Sequence, residues 1–229
     1  MLEIHSLSKS YGNKVIVEDW SYSFEDGKIY GLIGRNGIGK TTLLKCISGL
    51  CMPDRADIRS SKGDLSEKDY LDRDIVYISD EPIFYNDLTL QEHLWLICKV
   101  EKYSKQEAKK KIDYYLECLK MKEYMAFYPS ALSKGTLQRM MLIMGFLRKA
   151  DNLLLDEPFN GLDPVQLAET VQICTRESAK RCIIISSHDI ESLAEICDEY
   201  LIFNAKRIER LSKEISREEI KRMIGESYV

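Results

Sequence analysis

Gly34-Arg35-Asn36-Gly37-Ile38-Gly39-Lys40-Thr41, followed by Thr42, constrains this chain more than any other stretch. It fits G-x-x-x-x-G-K-[ST]. An apolar strand pattern over residues 28–33 precedes it, and a helical pattern over 40–49 follows, closed by Gly49. Strand, glycine loop and helix in that order predict a nucleotide-phosphate cradle in an α/β fold. Glycines let successive backbone N–H groups turn inward around phosphate oxygens. A helix begun at Lys40 points its positive end at the same anion. In this reading Lys40 reaches the β- and γ-phosphates, and Thr41 offers its hydroxyl to Mg²⁺. Residues 34–42 are all candidate nucleotide ligands.

Such a cradle needs a carboxylate for the metal, and Asn152-Leu153-Leu154-Leu155-Asp156-Glu157 supplies an apolar strand ending in two acids. Asp156 is placed to hold Mg²⁺, usually through water. Glu157, one residue further, can face an attacking water.

The rest of the pattern agrees with a parallel sheet. Residues 2–5 alternate apolar and polar, 15–24 alternate less cleanly, and Asp26-Gly27 marks a turn. Residues 55–74 read as charged, irregular loop with a short strand at 56–58, and 75–78 read as a strand. Between 89 and 149 strand signal almost vanishes. There Thr89 with Glu92, and Ser104 with Glu107, have capping-box spacing, and Ile112, Tyr115, Leu116 and Leu119 form one helical stripe. β/α alternation then resumes, with strands at 153–155, 182–186 and 200–203 and helices at 164–178 and 190–197. Apolar strands separated by helices are the mark of a sheet covered on both faces.

Composition excludes several other classes. In 229 residues, 45% are hydrophobic and 31% charged, an ordinary mix that can bury a full core. A formal net charge of −4 argues against a basic nucleic-acid footprint, and Lys109, Lys110 and Lys111 read as a solvated helix face. No apolar run approaches the ~18 residues of a membrane span, and the start carries no secretory pattern. Work at a membrane would therefore need a membrane-embedded partner. The seven cysteines are odd in number and lack C-x-x-C spacing, so they read as buried, reduced thiols.

Further motifs carry a family resemblance. Leu132-Ser133-Lys134-Gly135-Thr136, then Gln138-Arg139, resembles the LSGGQ signature of ABC ATPases, with Lys134 for glycine and Thr136 for glutamine. Asp156-Glu157-Pro158-Phe159-Asn160-Gly161-Leu162-Asp163-Pro164 resembles that family's Walker B and D-loop run. Ser187-His188-Asp189 is similar to its switch histidine, and Tyr11-Gly12 to the aromatic that stacks on adenine. The ordered set spans about residues 2–211. One departure stands out: where the family has glutamine after the 75–78 strand, this chain has Ser79-Asp80-Glu81-Pro82, making Asp80 the substitute and Glu81 a register-slipped alternative.

The resemblance implies a P-loop NTPase core (1–85 and 150–229) with an N-terminal antiparallel β subdomain and an inserted helical subdomain at 86–149. It implies ATP hydrolysis with Mg²⁺ held by Thr41, Asp156 and Asp80, Glu157 as catalytic base, and His188 at the γ-phosphate. A second ATP-binding subunit, identical or not, would dock head to tail. It would present Ser133 and Gly135 across the seam, with Asp163 joining the halves. An integral membrane permease subunit would hold the pair at the inner face of the membrane, in the cytoplasm, with no nucleic acid involved. Its docking groove would be lined by Pro82, Ile83, Phe84, Tyr85 and Trp95. The Ser133-Lys134-Gly135 form, short chain and single-domain layout resemble exporters of drugs or peptides more than sugar importers. The competing reading is an ABC ATPase serving a soluble scaffold. A GTPase switch would need N-K-x-D, which Asn204-Ala205-Lys206-Arg207 does not provide.

Overall fold

A computed structural model describes residues 1–65, 68, 73–204, 207–211 and 219–220. The chain opens with an antiparallel hairpin of β1 (Leu2–Tyr11) and β2 (Lys14–Phe24). It passes through β3 (Ile29–Ile33) and α1 (Lys40–Ser48), then returns as β4 (Arg55–Ser60) and β5 (Gly63–Asp64), giving a small sheet of order β2-β1-β4-β5. β1 runs six residues past the predicted 2–5 segment. Register shifts after Ile4, Leu7 and Lys9, and a positive φ at Ser6, break the two-residue period by which a strand is recognised. β4 likewise exceeds the expected 56–58. Of that charged stretch, residues 66, 67 and 69–72 lie outside the described residues, as do Ala205 and Lys206.

After β6 (Ile75–Ile78) the chain forms only helices until β7: α2 (Leu90–Val100), α3 (Lys105–Cys118), two short 3₁₀ turns and α4 (Lys134–Phe146). Both capping boxes form. Thr89 Oγ1 accepts from the Glu92 amide at 3.3 Å while the Glu92 carboxylate accepts from the Thr89 amide at 2.7 Å, and Ser104 with Glu107 repeats the arrangement. The Ile112, Tyr115, Leu116 and Leu119 stripe is buried, while Lys109 and Lys110 are exposed. Thr89→Ala is expected to cost about 1 kcal/mol, read as a lower urea midpoint with an unchanged slope.

The second half supplies β7 (Asn152–Asp156), α5 (Pro164–Ser178), β8 (Cys182–Ser187), α6 (Ile190–Ala194), β9 (Glu199–Asn204) and β10 (Arg207–Leu211). The six-stranded sheet has the order β10-β9-β3-β8-β7-β6 and is parallel except for β10. Alternate residues of each central strand face opposite layers. Leu153, Leu155, Ile183 and Ile185 share a core with residues of α2 to α6, while Leu154 and Ile184 pack with α1 and the small sheet. That two-sided burial is why these strands read as unbroken apolar runs. α6 stops at Ala194, short of the expected 197. Asp198 takes the chain into β9 by bonding Ile29 through both its backbone N–H and its carboxylate, which leaves no length for another turn.

All seven cysteines are free, and five are buried. Burial pushes the Cys46 and Cys174 thiols up to about 12, so they stay protonated and inert. Among the described residues no helix is long and apolar enough to cross a membrane.

Candidate active site

A cavity of about 480 Å³ opens at the C-terminal ends of the parallel strands, the usual ligand position in an open α/β sheet. The loop after β3 brings Asn36, Gly37, Gly39, Lys40, Thr41 and Thr42. The loop after β7 brings Glu157 and Asn160, β8 leads to His188, and β6 leads to Asp80. The β1–β2 hairpin closes one side with Tyr11, Lys14 and Ile16.

The glycine loop joins the end of β3 to the start of α1. Gly39 has φ +127°, and a Cβ there would lie 2.4 Å from Ile16 Cγ2, so glycine is required twice over, by conformation and by space. α2 to α6 are capped by the side chains of Thr89, Ser104, Ser133, Asp163 and Asp189, but α1 has no capping side chain. Its first-turn residues face the cavity instead, which suits an anion. Lys40 is buried, donating to the Gly34 carbonyl at 2.8 Å, with Glu157 Oε1 at 3.3 Å. Gly34, Arg35 and Ile38 do not line the cavity, and Ile38 packs into the core instead.

Glu157 sits at φ +47°, in the left-handed region that a non-glycine residue rarely adopts. Its amide reaches back to Ser186, to the carbonyl at 3.0 Å and the hydroxyl at 3.1 Å. The side chain is thereby turned from the strand into the cavity, where its carboxylate joins Lys40 on one side and His188 Nδ1, at 2.9 Å, on the other. Asp156 lies directly behind, fully buried. The Ser186 hydroxyl bonds its Oδ1, and Tyr77 Oη donates to its Oδ2 at 2.9 Å.

Tyr11 is half exposed at the cavity rim. Its hydroxyl contacts Cys51 Sγ at 3.4 Å, and Lys9 Nζ lies 5.0 Å from the ring centroid. The Cys51 contact, followed by partial desolvation, holds the phenol above its ordinary pKa, so the ring stays neutral. Ser133 and Gly135 do not enter this cavity. Ser133 caps α4, its hydroxyl 2.8 Å from that of Thr136. A Cβ on Gly135 would fall 2.6 Å from the Gly161 carbonyl oxygen, so the signature-like segment and the D-loop-like run abut. Asp163 caps α5 through the Val165 and Gln166 amides.

A second cleft, about 370 Å³, lies between β6 and α4, lined by Tyr77, Asp80, Glu81, Ile83, Met144 and Gly145 among others. Of the predicted groove residues only Ile83 lines it. Phe84 and Trp95 pack on the core, Tyr85 stacks on His93, and Trp95 also borders separate clefts beside α2. Helical spacing alone does not tell which face of α2 turns toward the core. Asp80 borders both cavities and Glu81 only the cleft, which favours Asp80 as the positional match for the missing glutamine. Lys14, Ile16, Asn160, Ser186 and Tyr77 join these groups only in the fold. Only Asn160, inside the Asp-Glu-Pro-Phe-Asn run, had a local signal.

The donors suit Mg²⁺. A threonine hydroxyl and aspartate carboxylates are hard oxygen ligands. Among the described residues no three acidic, histidine or cysteine side chains form a cage by themselves. Mg²⁺ typically takes one or two carboxylates and completes its shell with phosphate and water.

Known proteins show the same arrangement of sequence and fold. Residues 17–160 match the family described as ABC transporter. SkfE of Bacillus subtilis (strain 168), a SkfA peptide export ATP-binding protein, is 30% identical over 206 residues, covering 88% of this chain and 84% of that protein. CysA of Mesostigma viride, a sulfate/thiosulfate import ATP-binding protein, is 29% identical over 213 residues, covering 92% and 61%. A solved structure of the ATP-binding subunit of an ABC transporter matches with a TM-score of 0.85 at 29% identity, covering 98% of this chain and 93% of that one.

Proposed function

The chain belongs to the ABC transporter family, as an ATP-binding protein, and on that premise we propose that it hydrolyses ATP to drive a membrane permease. The observation that carries the reading is one cavity in which an uncapped helix start, Lys40, Glu157 and His188 converge, with Asp156 behind them. An arriving γ-phosphate competes with Glu157 for the Lys40 ammonium. Glu157, still held by His188, is then free to orient a water and accept its proton. Thr41, Asp156 and Asp80 would hold Mg²⁺, which when bound would supply neutralisation of the phosphate charge. Tyr11 offers a neutral ring to the adenine at the cavity rim.

Charge developing on the transferred group needs further donors. Ser133 and Gly135 lie outside their own cavity; Ser133 is exposed, and Gly135 is buried behind it against the Gly161 carbonyl. A second copy, or a related subunit, docked head to tail would bring its exposed Ser133, with Gly135 behind it, to the phosphate. The permease subunit seats a segment in the cleft between β6 and α4 and holds the pair at the inner face of the membrane. We read the direction as export from the Ser133-Lys134-Gly135 form and from the similarity to SkfE, a peptide export ATP-binding protein. Drug- or peptide-like cargo leaving substrate-loaded cells tests export.

Phosphate release by the purified chain, alone and with its permease in nanodiscs, tests the central reading. Turnover should be low alone and rise on assembly, because the permease raises the effective concentration of one copy for the other. No ATP binding would overturn it, and full activity with a soluble scaffold alone would favour the competing assignment. Asp80→Ala should leave metal-free ATP binding intact, raise the Mg²⁺ needed for half-maximal turnover about tenfold, and weaken permease stimulation. Glu81→Ala should do much less, and the reverse order would show the register to be wrong.

A further inference from the structure

The metal carboxylate is held by the two strands that flank its own. β7 lies between β8 and β6. β8 gives the Ser186 hydroxyl to Asp156 Oδ1 from the position directly paired with Asp156. β6 gives the Tyr77 hydroxyl to Oδ2, but Tyr77 pairs with Leu154, two residues earlier on β7. At ~3.3 Å per strand residue that offset is about 6–7 Å. A serine or threonine at 77 could not cover it, whereas the length of a tyrosine ring does.

Tyr77 is not a sealed core residue. It is half-buried, packs against the core on the α1 side of the sheet, and is one of the residues bordering the cleft between β6 and α4. Packing alone would be served as well by phenylalanine, but phenylalanine would remove a donor from a fully buried carboxylate. An ionised carboxylate has about four acceptor sites. Hydroxyl donors on both oxygens fix its plane and leave lone pairs on each.

We propose that Tyr77 is a positioning residue for Asp156, orienting the carboxylate whose remaining lone pairs take the water shell of Mg²⁺. This rests on the ATPase reading above. The relation is that of an outer-shell partner to a metal-binding carboxylate, where removal typically costs 10–100-fold in metal affinity.

Tyr77→Phe keeps the ring and deletes the bond. Binding of a fluorescent ATP analogue is measured in EDTA and then across a Mg²⁺ series, with thermal unfolding alongside. Expected are unchanged affinity in EDTA, a melting temperature lowered by the lost buried bond in a protein still folded at the assay temperature, and about a tenfold higher Mg²⁺ concentration for the metal-dependent change. In the otherwise native chain, 3-fluorotyrosine placed at 77 should shift its ¹⁹F resonance when Mg²⁺ joins bound ATP and not with ATP in EDTA. A Mg²⁺ requirement within twofold of wild type overturns the inference, as does equal loss of affinity with and without Mg²⁺. If the variant does not fold, a ¹⁹F resonance indifferent to Mg²⁺ overturns it alone. Wild-type protein that binds no nucleotide overturns the ATPase reading instead, which separates the two failures.

Discussion

Lys40→Ala is expected to weaken Mg-ATP binding by about two to three and a half orders of magnitude, the equivalent of roughly 3–5 kcal/mol. The size follows from where the ammonium sits. Lys40 is buried, with the Gly34 carbonyl at 2.8 Å and Glu157 Oε1 at 3.3 Å as its neighbours. Truncation removes the cation nearest the β/γ position and leaves Glu157 facing the phosphate charge without it. Two anions then share a poorly solvated cavity, and breaking one side of a buried charge pair costs far more than the pair contributes net. Isothermal titration calorimetry reads the effect directly. Unchanged affinity would remove Lys40, and with it the cradle assignment.

Glu157→Gln should drop turnover by about 10²–10⁴-fold, the usual weight of a positioned general base. Affinity for ATP should hold or rise. Glu157 Oε1 lies 3.3 Å from the Lys40 ammonium, so carboxylate and phosphate compete for one cation, and a neutral amide is the weaker competitor. Glutamine keeps the length of the side chain, and its amide can still meet His188. The site therefore stays assembled while water loses its proton acceptor. Closure without hydrolysis accumulates an ATP-bound dimer, visible as doubled mass in light scattering on adding Mg-ATP. Normal phosphate release in the variant would take Glu157 out of the catalytic role.

What was legible beforehand was local. The glycine loop, the capping boxes at Thr89 and Ser104, the apolar strands and the Asp156-Glu157 pair each act within a few consecutive residues. Steric and hydrogen-bonding rules leave their mark there on residue type. The same rules lose the trace at β1, where register shifts disrupt alternation, and at the end of α6, where a contact from Asp198 to a distant strand decides the helix length. They are also silent on which face of α2 carries Trp95 inward.

By itself the sequence determined the class of fold, the phosphate cradle and the chemical character of each loop that meets it, because those are properties of contiguous segments. Only the tertiary structure decided the order β10-β9-β3-β8-β7-β6, and with it which loops meet. Parallel neighbours are joined by long crossovers, so adjacent strands are remote in sequence and no periodicity announces their pairing. The contacts of Lys40 with Glu157, of Glu157 with His188, and of Tyr77 and Ser186 with Asp156 all run between such strands or the loops at their ends. Their chemistry is written in the residues, but their geometry exists only once the sheet has closed.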